Sequence, residues 1–408
     1  MSLSASMFSA VEMAPRDPIL GINEAFAADT NPKKVNLGVG VYYDDNGKLP
    51  LLHCVQAAEK RMMDSPKPRG YLPIDGIAAY DSAVKALVFG VESEPVKSGR
   101  IATAQGIGGT GGLKIGADFL KKLKPNATVL ISDPSWENHR ALFTQAGFDV
   151  QSHPYYDAAK RGVNFDGMLA ALNAAAAGTI VVLHACCHNP TGYDITPAQW
   201  DEVIAVVKAR GLTPFLDMAY QGFGHGIVED GAAVAKFVAA GLSFFVSTSF
   251  SKSFSLYGER VGALSVLCAS KEEADRVLSQ LKLVIRTNYS NPHIHGGTIV
   301  ATVLNTPELR AQWDGELTEM RVRIKAMRQK LVDGLKAAGV QEDMGFITDQ
   351  IGMFSYSGLS KDQMQRLRSE FGVYGTDAGR MCVAALNSNN IDYVCASIAS
   401  VMAKTNDA

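Results

Sequence analysis

Between about residues 51 and 318, short apolar runs alternate with amphipathic stretches, and this alternation restricts the possible folds more than any other feature of the chain. The apolar runs have the length of buried strands, and the stretches between them have the spacing of helices that cover a sheet. The clearest runs are 129–132, 179–183, 213–217, 244–248 and 262–267. We therefore predict an α/β fold with a mostly parallel sheet sandwiched by helices, in which ligands bind at the carboxyl ends of the strands.

Towards the C-terminus, apolar residues recur at steps of three and four positions, which predicts one long amphipathic helix. These residues are Leu309, Trp313, Leu317, Met320, Ile324, Met327, Leu331 and Leu335. A chain of 408 residues is also long enough for two domains, each with its own core.

Charge and composition exclude several classes of function. The 39 Lys and Arg residues nearly balance the 41 Asp and Glu residues, so we expect a small-molecule ligand and no nucleic acid as a partner. No apolar run reaches the roughly twenty residues that span a bilayer, so we expect no membrane role. Residues 1–16 lack the basic head and apolar core of a signal peptide, which favours a cytoplasmic location.

The six cysteines do not form a disulfide framework in a chain of this length, and they fit a reducing compartment. The sequence Cys186-Cys187-His188 could suggest metal ligands. Adjacent residues at the end of a strand point to opposite sides, however, and no second cluster of Cys and His supplies further ligands. We therefore expect small buried side chains here and no metal site.

Lys252 is the first residue whose sequence context indicates a catalytic role. An apolar, β-rich stretch leads into the segment 247–260, where Lys252 lies among hydroxyl groups and Arg260 follows eight residues later. This pattern suits an amine that forms a Schiff base beside a bound phosphate. An isolated lysine after a strand is more often a surface residue, so the choice depends on the other segments.

The segment 103–112 is rich in glycine and precedes apolar residues at helical spacing. Glycines let the backbone approach an anion, and the first turn of a helix offers unpaired N–H groups and the positive end of its dipole. The segment is neither a Walker loop nor a regular GxGxxG motif. Taken alone, it is equally compatible with a plain glycine-rich turn.

Two further segments end predicted strands with polar residues. The segment 184–192 turns at Asn189-Pro190, which suits an amide that is directed into a crevice. An apolar strand ends on Asp217, and Tyr220 follows three residues later. Taken alone, Asp217 could be the N-cap of a helix.

Together these segments resemble the class I, fold-type I, pyridoxal-phosphate-dependent aminotransferases, in the branch of the aspartate and aromatic-amino-acid (tyrosine) enzymes. The resemblance runs nearly from end to end and includes segments 36–42, 71–76, 134–139, 285–292, 352–355 and 378–383. Segments 250–260 and 379–384 are more similar to the bacterial tyrosine (aromatic) aminotransferases than to strict aspartate enzymes.

The resemblance implies an N-terminal arm (1–15) and a large cofactor-binding domain (50–318). It also implies a smaller α+β domain, formed by residues 16–49 and 319–408. The arm would pack on a partner subunit, in a homodimer with shared active sites.

The resemblance further implies pyridoxal 5'-phosphate as the cofactor. Lys252 would hold it as a Schiff base and would then carry a proton between substrate and cofactor. Asp217, supported by His139, would keep the pyridine nitrogen protonated. Tyr220 and Asn189 would form hydrogen bonds with the phenolic oxygen of the cofactor.

By the same resemblance, the cofactor phosphate would be bound by several donors at once, because it is a dianion. These donors are Gly109, Thr110, Ser249, Ser251, Arg260 and Tyr71 of the partner subunit.

Trp136 would stack on the cofactor ring beside the substrate, although a core tryptophan is an equally good interpretation of this residue. Arg380 would bind the α-carboxylate of the substrate, with Asn189 and the backbone of Gly40 close by. Arg286 of the partner subunit would pair with the side-chain carboxylate of aspartate or glutamate. The implied reaction is a ping-pong transfer of the amino group between tyrosine, phenylalanine or aspartate and 2-oxoglutarate.

Three alternatives compete with this interpretation. A strict aspartate aminotransferase would share every residue named above. An acyl-transferring serine enzyme would use Ser249 and Lys252 as an S-x-x-K motif, but no Lys-Thr-Gly occurs in the chain and the serine follows a strand. A binding protein without activity would not need Lys252, Asp217, Tyr220 and Arg380 together.

Overall fold

The computed structural model of the protein describes residues 6–403. Its strands are β1 (Val35–Asn36), β2 (Ile101–Ile107), β3 (Thr128–Asp133), β4 (Asp149–Pro154), β5 (Tyr156–Asp157), β6 (Gly162–Val163), β7 (Ile180–His184), β8 (Thr213–Met218), β9 (Phe244–Ser249), β10 (Val261–Leu267), β11 (Phe354–Tyr356), β12 (Val373–Tyr374) and β13 (Arg380–Cys382).

The α-helices are α1 (Leu20–Ala28), α2 (His53–Asp64), α3 (Ala78–Phe89), α4 (Glu94–Ser98), α5 (Gly108–Leu123), α6 (Glu137–Gln145), α7 (Phe165–Ala174), α8 (Pro197–Arg210), α9 (Ile227–Asp230), α10 (Ala232–Ala239), α11 (Lys271–Asn288), α12 (His295–Asn305), α13 (Pro307–Ala337), α14 (Lys361–Phe371) and α15 (Ile391–Met402). Short 3-10 helices cover Tyr257–Glu259, Gly345–Asp349 and Val383–Ala385.

A seven-stranded sheet in the order β2-β10-β9-β8-β7-β3-β4 forms the centre of the molecule. Only β10 runs antiparallel to its neighbours in this sheet, whereas the pairs from β9 to β4 are parallel. The predicted mostly parallel sheet is therefore confirmed.

Alternate side chains of the central strands β3, β7 and β9 enter different apolar cores. In β7, Val181 and Leu183 belong to one core, whereas Ile180 and Val182 belong to the other. Helices α5, α6 and α11 contribute to the second core, and α3, α8, α10 and α12 contribute to the first. Because successive side chains of a strand point to opposite faces, the two cores confirm that helices cover both faces of the sheet.

The five apolar runs predicted from the sequence correspond to β3, β7, β8, β9 and β10. Strands β2 and β4 were not among them. The β2 strand is almost entirely buried but consists mainly of small and polar residues, so it lacks the large apolar side chains that mark a strand. The β4 strand lies at the edge of the sheet and exposes most of its side chains.

The predicted long helix is α13, which extends over 31 residues. All eight apolar residues that predicted it are buried. The helix packs against α2, α12 and α15, and so connects segments that lie far apart in the sequence.

Two of the small sheets lie outside the central sheet and contain strands from the C-terminal part of the chain, and one of them also contains a strand from its beginning. Strand β1 pairs with β12 in parallel, and β11 pairs with β13 in antiparallel orientation. The pairing of β1 with β12 is consistent with a small domain built from both termini, and the domain boundaries stay a prediction.

No helix within residues 6–403 combines the length and the apolar composition that crossing a bilayer requires.

Candidate active site

A cavity of about 230 Å³ opens where β7, β8 and β9 end. It brings together most of the site residues predicted from the sequence. These are Gly40, Gly109, Thr110, Trp136, Asn189, Asp217, Tyr220, Ser249, Ser251, Lys252 and Arg260. Residues from six separate segments of the chain thus converge on one space.

Lys252 lies in the loop after β9 and lines this cavity. Its Nζ atom is 5.2 Å from the centroid of the Tyr220 ring. Burial lowers the pKa of Lys252 to about 8, and the positive charges of Arg260 and Arg380 add to this effect against the opposing attraction of Asp217. Near physiological pH, the neutral fraction of the Lys252 amine is therefore larger than that of an exposed lysine.

Asp217 was expected at the end of its strand and is in fact the last residue but one of β8. The side chain is 9% exposed, and its Oδ2 atom accepts a 2.7 Å hydrogen bond from Nε2 of His139. Burial raises the pKa of Asp217, but the hydrogen bond and charge of His139 outweigh burial and hold the pKa below its usual value. The cavity therefore contains an ionised carboxylate whose position is fixed by His139.

The N-terminus of α5 forms one wall of the cavity. The helix begins at Gly108, so Gly109 and Thr110 lie in its first turn, whose N–H groups have no partner within the helix. A Cβ atom on Gly108 would lie 2.4 Å from Nη2 of Arg260, and one on Gly109 would lie 2.9 Å from Cβ of Ser249. Only glycine permits this close approach.

Arg260 completes the same wall. Its Nη1 atom donates hydrogen bonds to the hydroxyl oxygen of Ser251 at 3.3 Å and to the carbonyl oxygen of Tyr257 at 3.0 Å. The residue has a φ of 53°, a left-handed conformation that is uncommon for arginine and that clusters at functional sites. The helix terminus, the two serines and this guanidinium form a cradle that fits a dianion.

Arg380 lies beside the cavity on β13 and is 3% exposed. Its Nη1 atom donates to Oδ1 of Asn189 at 3.0 Å, and its Nη2 atom donates to the carbonyl oxygen of Gly38 at 2.7 Å. The Nε atom is buried and has no hydrogen-bond partner within the described chain. This unpaired donor provides a place for a ligand carboxylate.

Tyr71 and Arg286 do not line the cavity of their own chain. Tyr71 is 94% exposed, and Arg286 lies on α11, where it donates a 2.7 Å hydrogen bond to Ser290. Their assignment to the site of a partner subunit stays a prediction.

Sequence reasoning gave no role to Tyr257 and His184, which also line the cavity. The hydroxyl oxygen of Tyr257 accepts a 2.9 Å hydrogen bond from the backbone N–H of Tyr42. Burial and the neighbouring His139 lower the pKa of His184 to about 3, so its ring is neutral. His184 lies in the segment 184–192 and Tyr257 in the segment 247–260, and this position is the only signal in the sequence that indicates them.

The expectation that Cys186 and Cys187 point apart is wrong. Their sulfur atoms and a carboxylate oxygen of Asp230 lie within 4.8 Å of one another. The chain has left β7 at this point and Cys187 has a φ of 51°, so the alternation of a strand no longer applies. Both oxygens of Asp230 already accept N–H groups from the loop 222–225, which gives this carboxylate a structural role.

Comparison with known proteins identifies the family. The profile described as "Aminotransferase class I and II" matches residues 32–398. An aspartate aminotransferase of Pseudomonas aeruginosa is 63% identical over 397 residues, which are 97% of this chain and 100% of that protein. The aromatic-amino-acid aminotransferase of Escherichia coli K12 is 50% identical over 397 residues, with the same coverage of both chains.

The crystal structure of an aromatic-amino-acid aminotransferase from Burkholderia pseudomallei, covalently bound to pyridoxal phosphate, is similar with a TM-score of 0.95 and 66% identity. The similarity covers 97% of this chain and 100% of that one. These similarities do not favour an acyl-transferring serine enzyme. The chain belongs to the class I and II aminotransferase family, in the pyridoxal-phosphate-dependent branch of aspartate and aromatic-amino-acid aminotransferases.

Proposed function

We propose that the protein transfers the amino group between aromatic amino acids or aspartate and 2-oxoglutarate by a ping-pong mechanism. The observation that carries the proposal is the convergence of Lys252, Asp217 and the anion cradle on one cavity, beside which Arg380 donates a hydrogen bond to the lining residue Asn189. A binding protein would need the cradle but not an amine with a lowered pKa beside a buried carboxylate.

The cavity fits pyridoxal phosphate, because the cradle at the N-terminus of α5 and Arg260 suit its phosphate and Lys252 suits its aldehyde. When bound, this cofactor supplies an electron sink for the negative charge that develops at the substrate Cα. Asp217 would hold a proton on the pyridine nitrogen, and His139 would keep that carboxylate ionised and oriented. Tyr220 and Asn189 would form hydrogen bonds with the phenolic oxygen.

Lys252 would act twice. Its amine would hold the cofactor covalently until a substrate amine takes its place. The released amine would then carry the proton from the substrate Cα as a general base and acid. The lowered pKa suits this role, because a general base works best when its pKa is near the operating pH.

Arg380 would bind the α-carboxylate of every substrate, with Asn189 and the backbone of Gly40 at its side. The free Nε atom of Arg380 supports a two-point contact with a carboxylate. Arg286 of the partner subunit would bind the side-chain carboxylate of aspartate and of 2-oxoglutarate, and Tyr71 of the partner subunit would contact the phosphate.

The substrate range rests on the names of the relatives, which include both aspartate and aromatic-amino-acid enzymes at high identity. A strict aspartate enzyme is the alternative. Arg286→Leu should lower kcat/KM for aspartate by about 100-fold or more and leave phenylalanine within about tenfold, because a buried unpaired carboxylate is costly. Arg380→Leu should lower both by a similar factor. Steady-state kinetics with both substrates measure this.

The wild-type protein is the control for this comparison. If it turns over aspartate but not phenylalanine or tyrosine, the strict aspartate alternative is correct. If Arg286→Leu lowers kcat/KM equally for aspartate and phenylalanine, the proposed division of roles between Arg286 and Arg380 is wrong.

A homodimer and a cytoplasmic location complete the proposal. Met7, Phe8, Val11 and Met13 are largely exposed in the isolated chain, which supports an N-terminal arm that packs on a partner. The six cysteines are free and buried, which is compatible with a reducing compartment.

A further inference from the structure

Arg328 on α13 is a buried charge to which the proposed mechanism gives no role. Its side chain is 2% exposed, and it forms no ion pair with any of residues 6–403. Removing a guanidinium from water costs free energy unless its donors are used. The structure of its surroundings therefore shows what this charge is used for.

The guanidinium of Arg328 donates to backbone carbonyl groups. Its Nη2 atom donates to the oxygens of Gly352 at 2.7 Å and Phe354 at 2.6 Å, and its Nη1 atom donates to the oxygen of Ile347 at 3.4 Å. These carbonyls lie in the segment that leads into β11. Arg328 thus ties the path of this segment to the long helix of the molecule.

Phe354, the first residue of β11, packs against three residues of the site. The guanidinium carbon of Arg380 is 4.2 Å from the centroid of its ring, which is the distance of a cation–π contact. The ring also meets Tyr220 edge-on at 5.8 Å, and a Cβ atom on Gly40 would lie 2.7 Å from its Cζ atom.

We propose that Arg328 and Phe354 are positioning residues for Arg380. Arg328 fixes the backbone of Phe354, and the ring of Phe354 fixes the plane of the Arg380 guanidinium, so that its free Nε atom faces a substrate carboxylate. The proposal rests on the proposed function, because it concerns the grip of Arg380 on the α-carboxylate. Without the ring, Asn189 and Gly38 alone would hold that guanidinium.

Two variants of the cofactor-loaded protein test the proposal. Phe354→Leu removes the aromatic face and keeps an apolar side chain, and Arg328→Met removes the donors and keeps an apolar stem. Calorimetric titration with 3-phenylpropanoate, which has a carboxylate but no amine, should give a dissociation constant raised about tenfold in each variant. Thermal unfolding of both variants shows whether they are folded. If Arg328→Met does not fold, Phe354→Leu alone tests the proposal.

A pair of amines separates positioning from a general loss of structure. In single-turnover reactions, both variants should react about tenfold more slowly with phenylalanine at low concentration. They should react with 2-phenylethylamine, which lacks the carboxylate, within about twofold of wild type. The double variant should lose no more than the more impaired single variant, because both changes act through one contact.

The matched control is Phe346→Leu. Phe346 lies on the 3-10 helix Gly345–Asp349, and its ring centroid is 4.1 Å from the guanidinium carbon of Arg161. Neither Phe346 nor Arg161 lines the cavity. This variant should bind 3-phenylpropanoate like wild type.

Equal losses with phenylalanine and 2-phenylethylamine, or unchanged binding of 3-phenylpropanoate in Phe354→Leu, would overturn the positioning role. If the wild-type protein reacts with neither amine, the proposed function itself fails, and this is seen before any variant is compared.

Discussion

Lys252 and Asp217 face the same cavity, and their surroundings favour the deprotonated form of both groups, a neutral amine and an ionised carboxylate. Desolvation by burial lowers the pKa of Lys252. His139 keeps the pKa of Asp217 below its usual value, although the carboxylate is buried. Two groups whose environments adjust their charge in this way are typical of an active site. The sequence placed both residues at strand ends, and the family resemblance implied that His139 supports Asp217. The hydrogen bond between them depends on how α6, which carries His139, packs beside the sheet.

The pKa of Lys252 leads to a prediction for the cofactor-free protein. The neutral amine attacks an aldehyde and the ammonium group does not, so the rate of covalent cofactor uptake should rise with pH and level off above about 8. A lysine with the ordinary pKa of 10.5 would give a rate that keeps rising well beyond that point. Stopped-flow absorbance from about pH 6 to about pH 10 measures this. A rate still rising steeply at the upper end would contradict the lowered pKa.

Among the elements, α5 and its approach to the sheet determine how an anion can bind. The glycines at its start have a steric purpose, because Gly108 has a φ of 68° and lies against Arg260. The sequence predicted a helix after this glycine-rich segment, whereas the anion cradle was implied only by the segment together with the family resemblance. It did not predict β2, because the residues of that strand are small and polar and their burial comes from neighbouring elements.

Gly108→Ala should raise the dissociation constant of pyridoxal phosphate by about tenfold or more. The added methyl group displaces the Arg260 guanidinium, and a side chain at positive φ also costs about 1 kcal/mol of folding stability. Titration of the cofactor-free protein, followed by absorbance, measures the affinity.

Gly258→Ala is the matched control, because nothing lies within 4 Å of a Cβ atom at that position. Gly258 lies in the segment 247–260, which also contains Lys252 and Arg260, and its variant should bind the cofactor like wild type. Equal affinities in the two variants would show that the tight contact at Gly108 is not part of the cradle.

At the scale of the whole molecule, we propose that a partner subunit completes the site of each chain. Most predicted site residues line one cavity, but Tyr71 and Arg286 do not line it. The fold was predictable because β7 and its neighbouring strands are marked by short apolar runs that alternate with amphipathic stretches in the local sequence. The contacts among Arg328, Phe354 and Arg380 were not, since they depend on how α13 meets the segment before β11.

Mixing two inactive variants tests the shared site. Lys252→Ala and Arg286→Asp should each lose activity with aspartate. A hybrid dimer would place both changes in one site and leave the other intact, so each hybrid should regain about half the activity of the wild-type dimer. Each variant alone is the control. Hybrids that are isolated with two different tags and stay inactive with aspartate would exclude shared sites.

The most direct test of the central claim is to locate the cofactor on the chain. The protein loaded with pyridoxal phosphate is reduced with borohydride, digested and mapped by mass spectrometry. We expect one modified peptide, with the pyridoxyl group on Lys252. A label on another lysine, or none with the cofactor supplied in excess, would contradict this claim.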